Sequence, residues 1–164
     1  MAEAPESNAL TIGVVGAGAW GSALAHVCAQ SHDGKQDRVL LWGRNAALIE
    51  TLQQRHENPA YLPGIALSEK IEATDRLSDL TPTRLSLLVV PAQALRGVAG
   101  ELAGVLAPDV PVVLCAKGIE AGSGLLMTEV AAEALPGRPL AVLSGPTFAS
   151  EVARGRPTAV TLAS

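Results

Sequence analysis

Three glycines near the start of the chain have a spacing that suits ligand binding. Gly16, Gly18 and Gly21 form a G-x-G-x-x-G pattern that follows an apolar, β-branched run and precedes a helical pattern. In that context the first glycine allows a tight turn, the second lets the backbone approach a pyrophosphate, and the third lets the helix pack closely on the strand. The helix N-terminus adds free N–H groups and a partial positive charge. The pattern predicts a dinucleotide site; the alternative is an ordinary strand-to-helix turn.

The end of the second predicted strand bears on which dinucleotide would bind. Ligands of open α/β sheets bind at the carboxyl ends of the strands, and an acidic residue at this strand end usually holds the adenine ribose of NAD. Here the strand ends in Gly43-Arg44, without that acid. A guanidinium matches a 2′-phosphate in charge and in forked geometry. We therefore predict NADP as the cofactor, with NAD as the alternative, although an exposed arginine in a turn would also explain Arg44.

Two further strand ends carry candidate binding groups. Lys117 follows an apolar run at 110–116 and could bind a phosphate, or an oxygen near a nicotinamide; the alternative is a solvated lysine. Ser144-Gly145-Pro146-Thr147 forms a strand-to-helix junction. Ser144 or Thr147 could cap the helix, and the exposed N–H groups there could take an anion. Capping alone would also explain these residues.

The histidines and cysteines do not indicate a metal site or a disulfide. His26, His32 and His56 lack metal-ligand spacing. Two of these three lie in helical patterns beside polar residues, so we expect a solvated surface position for them. Cys28 and Cys115 fall in a predicted helix and a predicted strand, where they resemble small buried hydrophobes.

Strands and helices alternate along nearly the whole chain. Asn45 is expected to cap the second helix. Continuous apolar strands between helices predict an α/β, Rossmann-type, doubly wound and mostly parallel sheet covered on both faces. We expect an N-terminal tail at residues 1–8 and one dinucleotide-binding domain at 9–164. The predicted strands are near 10–15, 39–42, 71–73, 84–90, 110–116, 140–143 and 158–162, and helices are predicted near 20–30, 46–52, 92–106, 126–134 and 148–154.

The composition excludes several other classes of protein. Hydrophobic residues make up 48% and charged residues 17% of the 164 residues, which is typical of a globular domain. A net charge of −4 and an aromatic content of only 2% argue against nucleic-acid binding. The N-terminus is acidic where a signal peptide is basic, and no apolar run reaches the roughly 18 residues of a membrane span. A cytoplasmic protein is expected.

Seven short motifs follow one another along the chain, at 16–21, 41–44, 58–64, 90–92, 116–120, 144–149 and 151–160. Together they resemble the bacterial NAD(P)-dependent glycerol-3-phosphate dehydrogenases, in the order in which that family carries them. The resemblance runs from about residue 10 to the end. It implies that NAD(P)H reduces dihydroxyacetone phosphate to sn-glycerol 3-phosphate, a glycerophospholipid precursor, and it leaves room for a homodimer.

The resemblance also implies roles for individual residues. Lys117 would touch both cofactor and substrate, as its strand-end position allows. At position 19 the family often has Ser, so Ala19 loses a hydroxyl contact but keeps the backbone N–H. The remaining implied cofactor contacts are Trp20, Arg44 and Ala149, and the implied substrate contacts are Gly145 and Thr147.

The family's catalytic lysine belongs to a helical C-terminal domain, so the resemblance places it beyond residue 164. Lys117 is the one candidate proton donor in this sequence, and we do not assign it that role. We expect the chain to hold the cofactor half of a longer enzyme. Two alternatives stay open: a stand-alone NAD(P)H-binding or sensing module without turnover, and a reductase of a different small keto substrate.

Overall fold

A seven-stranded sheet forms the centre of the fold in the computed structural model, which describes residues 10–30 and 37–164. The predicted tail at 1–8, and His32 with the loop around it, lie outside the described residues. The strands are β1 Thr11–Val15, β2 Arg38–Trp42, β3 Glu57–Asn58, β4 Leu62–Ala66, β5 Ile71–Thr74, β6 Leu85–Leu88, β7 Val112–Leu114, β8 Leu140–Ser144 and β9 Thr161–Ala163. The α-helices are α1 Ala19–Ala29, α2 Ala46–Arg55, α3 Leu95–Ala103, α4 Met127–Ala134 and α5 Ala149–Ala153.

The strand order is β5-β2-β1-β6-β7-β8-β9, and every neighbouring pair is parallel except β8 and β9. The chain therefore runs outward from β1 in one direction to β5 and then returns to build the other side from β6. Such a reversal leaves a crevice at the carboxyl ends of the central strands. The prediction of a mostly parallel, doubly wound sheet is confirmed.

The two faces of the sheet bury separate apolar cores, because alternate residues of a strand point to opposite faces. Val14 and Leu41 pack with α1, α2, α5 and the β3–β4 hairpin. Val15 and Leu40 pack with α3 and α4 on the other side. The central strands are thus buried on both faces, which explains why they are continuous apolar runs in the sequence.

The β3–β4 hairpin was not predicted. A Pro-Gly pair is a common turn signal, but Pro63 and Gly64 both lie within β4, where Gly64 has a φ of +71°. The chain turns at residues 59–61. This hairpin pairs only with itself and lies beside α1 and α5.

A solvated position was expected for histidines in helical patterns, and for His26 this is wrong. The His26 side chain of α1 is 7% exposed. Its Nδ1 accepts a hydrogen bond from the Ser68 backbone N–H at 2.9 Å, and its Nε2 lies 2.8 Å from the side-chain amide of Gln30. Burial lowers the pKa of His26. The neutral imidazole of His26 therefore joins α1 to the segment after β4.

This geometry predicts a pH dependence of stability. At a pH above the ordinary histidine value of 6.5, His26 is neutral whether the chain is folded or unfolded. Below that value the unfolded chain binds a proton that folded His26 resists, so the free energy of unfolding falls as the pH drops. Urea unfolding of the wild type should lose more stability between pH 7.5 and 5.5 than that of His26→Gln. Parallel pH profiles for the two proteins would contradict this role.

Candidate functional site

The loop between β1 and α1 is shaped by contacts that only glycine allows. Gly16 has a φ of +124°, and a Cβ there would lie 2.5 Å from the Val89 carbonyl oxygen. Its N–H donates to the Trp42 carbonyl at 2.8 Å, which ties the end of β1 to the end of β2. A Cβ on Gly21 would lie only 1.8 Å from the Gly16 carbonyl oxygen. The first turn of α1 therefore packs directly on the backbone of the loop.

Gly18 differs from the other two glycines because nothing lies within 4 Å of where its Cβ would be. It is the N-cap residue of α1 and supplies no side-chain cap. The first N–H groups of a helix have no acceptor within the helix, and the helix dipole makes this end favourable for an anion. Open space, unused donors and a partial positive charge thus coincide at Gly18, as a bound pyrophosphate requires.

A cleft of about 510 Å³ lies over this loop at the carboxyl end of the sheet. One wall comes from the end of β2, where Gly43 packs so closely on the loop that a Cβ would lie 2.7 Å from the Ala17 Cβ. Arg44 follows and is exposed at the cleft. Asn45 caps α2 as predicted, since its Oδ1 accepts from the Leu48 N–H at 3.2 Å. Arg44 is therefore held at the mouth of the cleft by a fixed helix start.

A second cleft of about 300 Å³ adjoins the first and contains the remaining predicted site residues. Both clefts are lined by Ala19, Trp20 and Cys115, so the two spaces meet at the first turn of α1. The sequence-predicted residues that line the second cleft beyond these are Lys117, Gly145, Thr147 and Ala149.

Lys117 and Gly145 are in direct contact. The Lys117 Nζ donates to the Gly145 carbonyl at 3.3 Å, and the Thr147 N–H donates to the same oxygen at 3.0 Å. Gly145 also has a packing role, since a Cβ there would lie 2.5 Å from the Ala159 carbonyl oxygen. The β8–α5 junction therefore holds an ammonium group at the edge of the second cleft.

The predicted capping of α5 by Ser144 or Thr147 is wrong. Phe148 is the N-cap residue of α5, and no side chain caps this helix, which has only five residues. Within this junction the Thr147 N–H instead donates to the Gly145 carbonyl oxygen. No helix-end anion site follows from α5.

Cys115 lies where the two clefts meet but is not a reactive thiol. It is buried, and this burial, with a smaller contribution from Cys28, raises its pKa to about 12. The uncharged thiol is a poor nucleophile at neutral pH. Both cysteines are free thiols; Cys115 is buried as predicted, whereas Cys28 is only half-buried. Within residues 10–30 and 37–164, no group of His, Cys, Asp and Glu side chains could hold a metal ion.

Asn58 is a residue of this site that sequence reasoning did not single out. It is buried beneath the glycine-rich loop and donates to the Ala17 carbonyl oxygen at 3.0 Å. Its turn places Tyr61 in the wall of the first cleft. The Asn-Pro pair at 58–59 was the only local signal, and it does not reveal a contact that spans 41 residues of sequence.

None of the helices in the described part of the chain is long and apolar enough to cross a membrane.

Comparison with known proteins places this geometry in a family. The family model of the NAD-dependent glycerol-3-phosphate dehydrogenase N-terminus matches residues 11–164. The chain is 56% identical over 153 residues to a glycerol-3-phosphate dehydrogenase [NAD(P)+] from Methylobacterium radiotolerans, covering 93% of this chain and 45% of that protein. It is 54% identical over 152 residues to the enzyme of the same name from Zymomonas mobilis, covering 93% of this chain and 42% of that protein.

A solved structure agrees with these sequence matches. The glycerol-3-phosphate dehydrogenase of Coxiella burnetii is 35% identical and superposes with a TM-score of 0.85, over 94% of this chain and 46% of that one. The chain thus spans less than half the length of each relative named here.

The packing of the loop predicts that substitutions at Gly21 and at Gly18 change the free energy of unfolding by very different amounts. Gly21→Ala should lower the free energy of unfolding by about 1–3 kcal/mol, because its Cβ has no room beside the Gly16 carbonyl. Gly18→Ser should change it by less than about 0.5 kcal/mol, because the added atoms enter open space and serine is a favoured N-cap. Urea titrations of both variants measure the two changes. A neutral Gly21→Ala, or a strongly destabilised Gly18→Ser, would show that the loop packs differently.

Proposed function

Since this chain belongs to the NAD-dependent glycerol-3-phosphate dehydrogenase family through its match to the family's N-terminal domain, we propose that it binds NAD(P)H. We also propose that it supplies some of the residues that bind a phosphorylated keto substrate. The whole reaction would be the reduction of dihydroxyacetone phosphate to sn-glycerol 3-phosphate, a step that supplies glycerophospholipid synthesis. A cytoplasmic location and a homodimer stay predictions from the sequence. The observation that carries the proposal is the meeting of the two clefts at Ala19, Trp20 and Cys115.

The first cleft supports binding of the dinucleotide. Gly16 and Gly21 hold the turn in place, while Gly18 leaves room for a pyrophosphate against the N-terminus of α1. Ala19 and Trp20 follow in the first helical turn and lead from the first cleft into the second. A cofactor whose pyrophosphate lies at Gly18 would therefore reach Arg44 with its adenosine part and the second cleft with its nicotinamide part.

The second cleft supports binding of the substrate beside the nicotinamide. The bound cofactor supplies a hydride, which adds to the ketone carbon and leaves an alkoxide that must take up a proton. Lys117 is the cation placed to contact both molecules, with Gly145 and Thr147 beside it for the substrate and Ala149 on the cofactor side. Because Lys117 is already engaged with a backbone carbonyl, we assign it to binding and orientation. The proton donor is expected beyond residue 164, in the part of the enzyme that the relatives' extra length contains.

Arg44 supports a preference for NADP over NAD. Its guanidinium is exposed at the first cleft and lies immediately before the N-cap of α2, where the ribose of the adenosine part would come. An arginine can hold a 2′-phosphate by two parallel hydrogen bonds, and no carboxylate follows β2 to hold a free ribose hydroxyl.

Fluorescence titration of this chain with NADPH and NADH at one salt concentration tests the proposal. NADPH should bind about tenfold more tightly than NADH, and Arg44→Ala should remove most of that difference by weakening NADPH alone. Arg55→Ala is the matched control, because it removes an exposed arginine at the far end of α2 and should change neither affinity. Equal affinities in the wild type would overturn the NADP preference, and binding of neither cofactor would overturn the proposed function.

A further inference from the structure

Asn58 is a fully buried polar residue whose side chain joins three parts of the cofactor site. Its exposure is 0%. Its amide NH2 group donates to the Ala17 carbonyl oxygen at 3.0 Å and to the Ser22 hydroxyl oxygen at 2.8 Å. Its Oδ1 accepts from the Tyr61 backbone N–H at 3.1 Å. The glycine-rich loop, the first turns of α1 and the β3–β4 turn are thus connected through one side chain.

An amide matches this set of partners at any pH. Two of them, a carbonyl oxygen and a hydroxyl oxygen, accept from Asn58, while the third is an N–H that donates to it. Asparagine supplies two N–H donors and a carbonyl acceptor within a side chain of this size. An ionised aspartate would turn a carboxylate oxygen towards the Ala17 carbonyl, and an apolar side chain would leave the buried Ala17 carbonyl and Ser22 hydroxyl without this bond, which is costly.

The bond to Ala17 also fixes where the loop presents its donors. In a planar trans peptide the C=O and the following N–H point in opposite directions. Holding the Ala17 carbonyl against Asn58 therefore turns the Gly18 N–H away from Asn58, and no atom lies within 4 Å of where a Gly18 Cβ would be. The same side chain sets the start of the turn that carries Tyr61 to the cleft wall.

We propose that Asn58 is a positioning residue for the dinucleotide: it holds the glycine-rich loop in its binding conformation and fixes the distance between that loop and Tyr61. This inference rests on the proposed function, because it concerns how the same cleft binds its cofactor. It assigns the contact with the ligand to the loop and to Tyr61. Asn58 itself lies underneath and acts through them.

Asn58→Asp tests the proposal through a pH profile. At pH 8 the carboxylate should repel the Ala17 carbonyl and weaken binding of NADP⁺ about tenfold relative to the wild type. Burial raises the pKa of such a carboxyl above its ordinary value of about 4. As the pH falls towards 5 the neutral acid gains an O–H donor, so the ratio of the variant's Kd to that of the wild type should fall. A residue that served only to stabilise the fold would leave this ratio independent of pH.

Two further variants separate positioning from general stability. Asn58→Ala introduces no buried charge, so its NADP⁺ binding can be measured even if the aspartate variant does not fold. Val130→Ala is the matched control, since Val130 is fully buried in α4 in the core on the opposite face of the sheet. Both alanine variants should lower the Tm, but only Asn58→Ala should weaken NADP⁺ binding.

Amide hydrogen exchange in the ligand-free chain gives a readout that needs no cofactor. The Gly16 N–H is bonded to the Trp42 carbonyl, and the Ser22 N–H to the Gly18 carbonyl. Asn58→Ala should accelerate exchange at these two amides more than Val130→Ala does. Unchanged exchange together with an unchanged Kd would overturn the positioning role while leaving the proposed function intact. A wild type that binds no dinucleotide would overturn the proposed function, and accelerated exchange would still show that Asn58 orders the loop.

Discussion

The contact between the Gly16 carbonyl and the Cα of Gly21 is the constraint on which the rest of the site depends. The 1.8 Å that would separate that oxygen from a Cβ shows that the first turn of α1 packs on bare backbone. Because α1 is held there, its N-terminus opens at Gly18 into the first cleft. The positive φ of Gly16 and its bond to Trp42 then fix the loop to the neighbouring strand β2. Because these loop positions are glycines, they place no side chains in the crevice.

The topology of the sheet explains why two clefts meet at this point. Strands β1 and β6 are neighbours, but the strands that follow β1 in sequence are added on one side of it, and those that follow β6 are added on the other. The connections after β1 and β6 therefore lead away from each other, and a crevice remains at the carboxyl ends of these two strands. Residues after β2 form one side of that crevice, and residues after β7 and β8 form the other. Arg44 and Lys117 consequently lie on opposite sides of the α1 N-terminus. The proposed dinucleotide would extend across this edge between the two cations.

The sequence was sufficient to predict the parts of the fold that depend on local patterns. Apolar runs predicted the parallel strands, helical spacing predicted α1 to α4, and strand ends led to Arg44 and Lys117. Contacts between distant residues could not be predicted in this way. His26 falls in a helical pattern, and nothing in the local sequence indicates that Ser68, 42 residues away, donates a hydrogen bond to its ring. Likewise the β3–β4 hairpin could not be recognised, because β3 has only two residues and the buried and exposed residues of β4 do not alternate regularly.

In the proposed binding mode, one dinucleotide crosses from the first cleft to the second along the first turn of α1. A ¹H–¹⁵N spectrum of this chain, recorded during addition of NADPH and then of sn-glycerol 3-phosphate, tests it most directly. We expect NADPH to shift the amides of Gly18, Ala19 and Trp20 together with that of Arg44, and the phosphate ester then to shift those at Gly145 and Thr147. Shifts centred instead on the groove between α2 and β5, which is lined by Glu50, Gln53 and Glu72, or no shift at the α1 N-terminus, would contradict this binding mode.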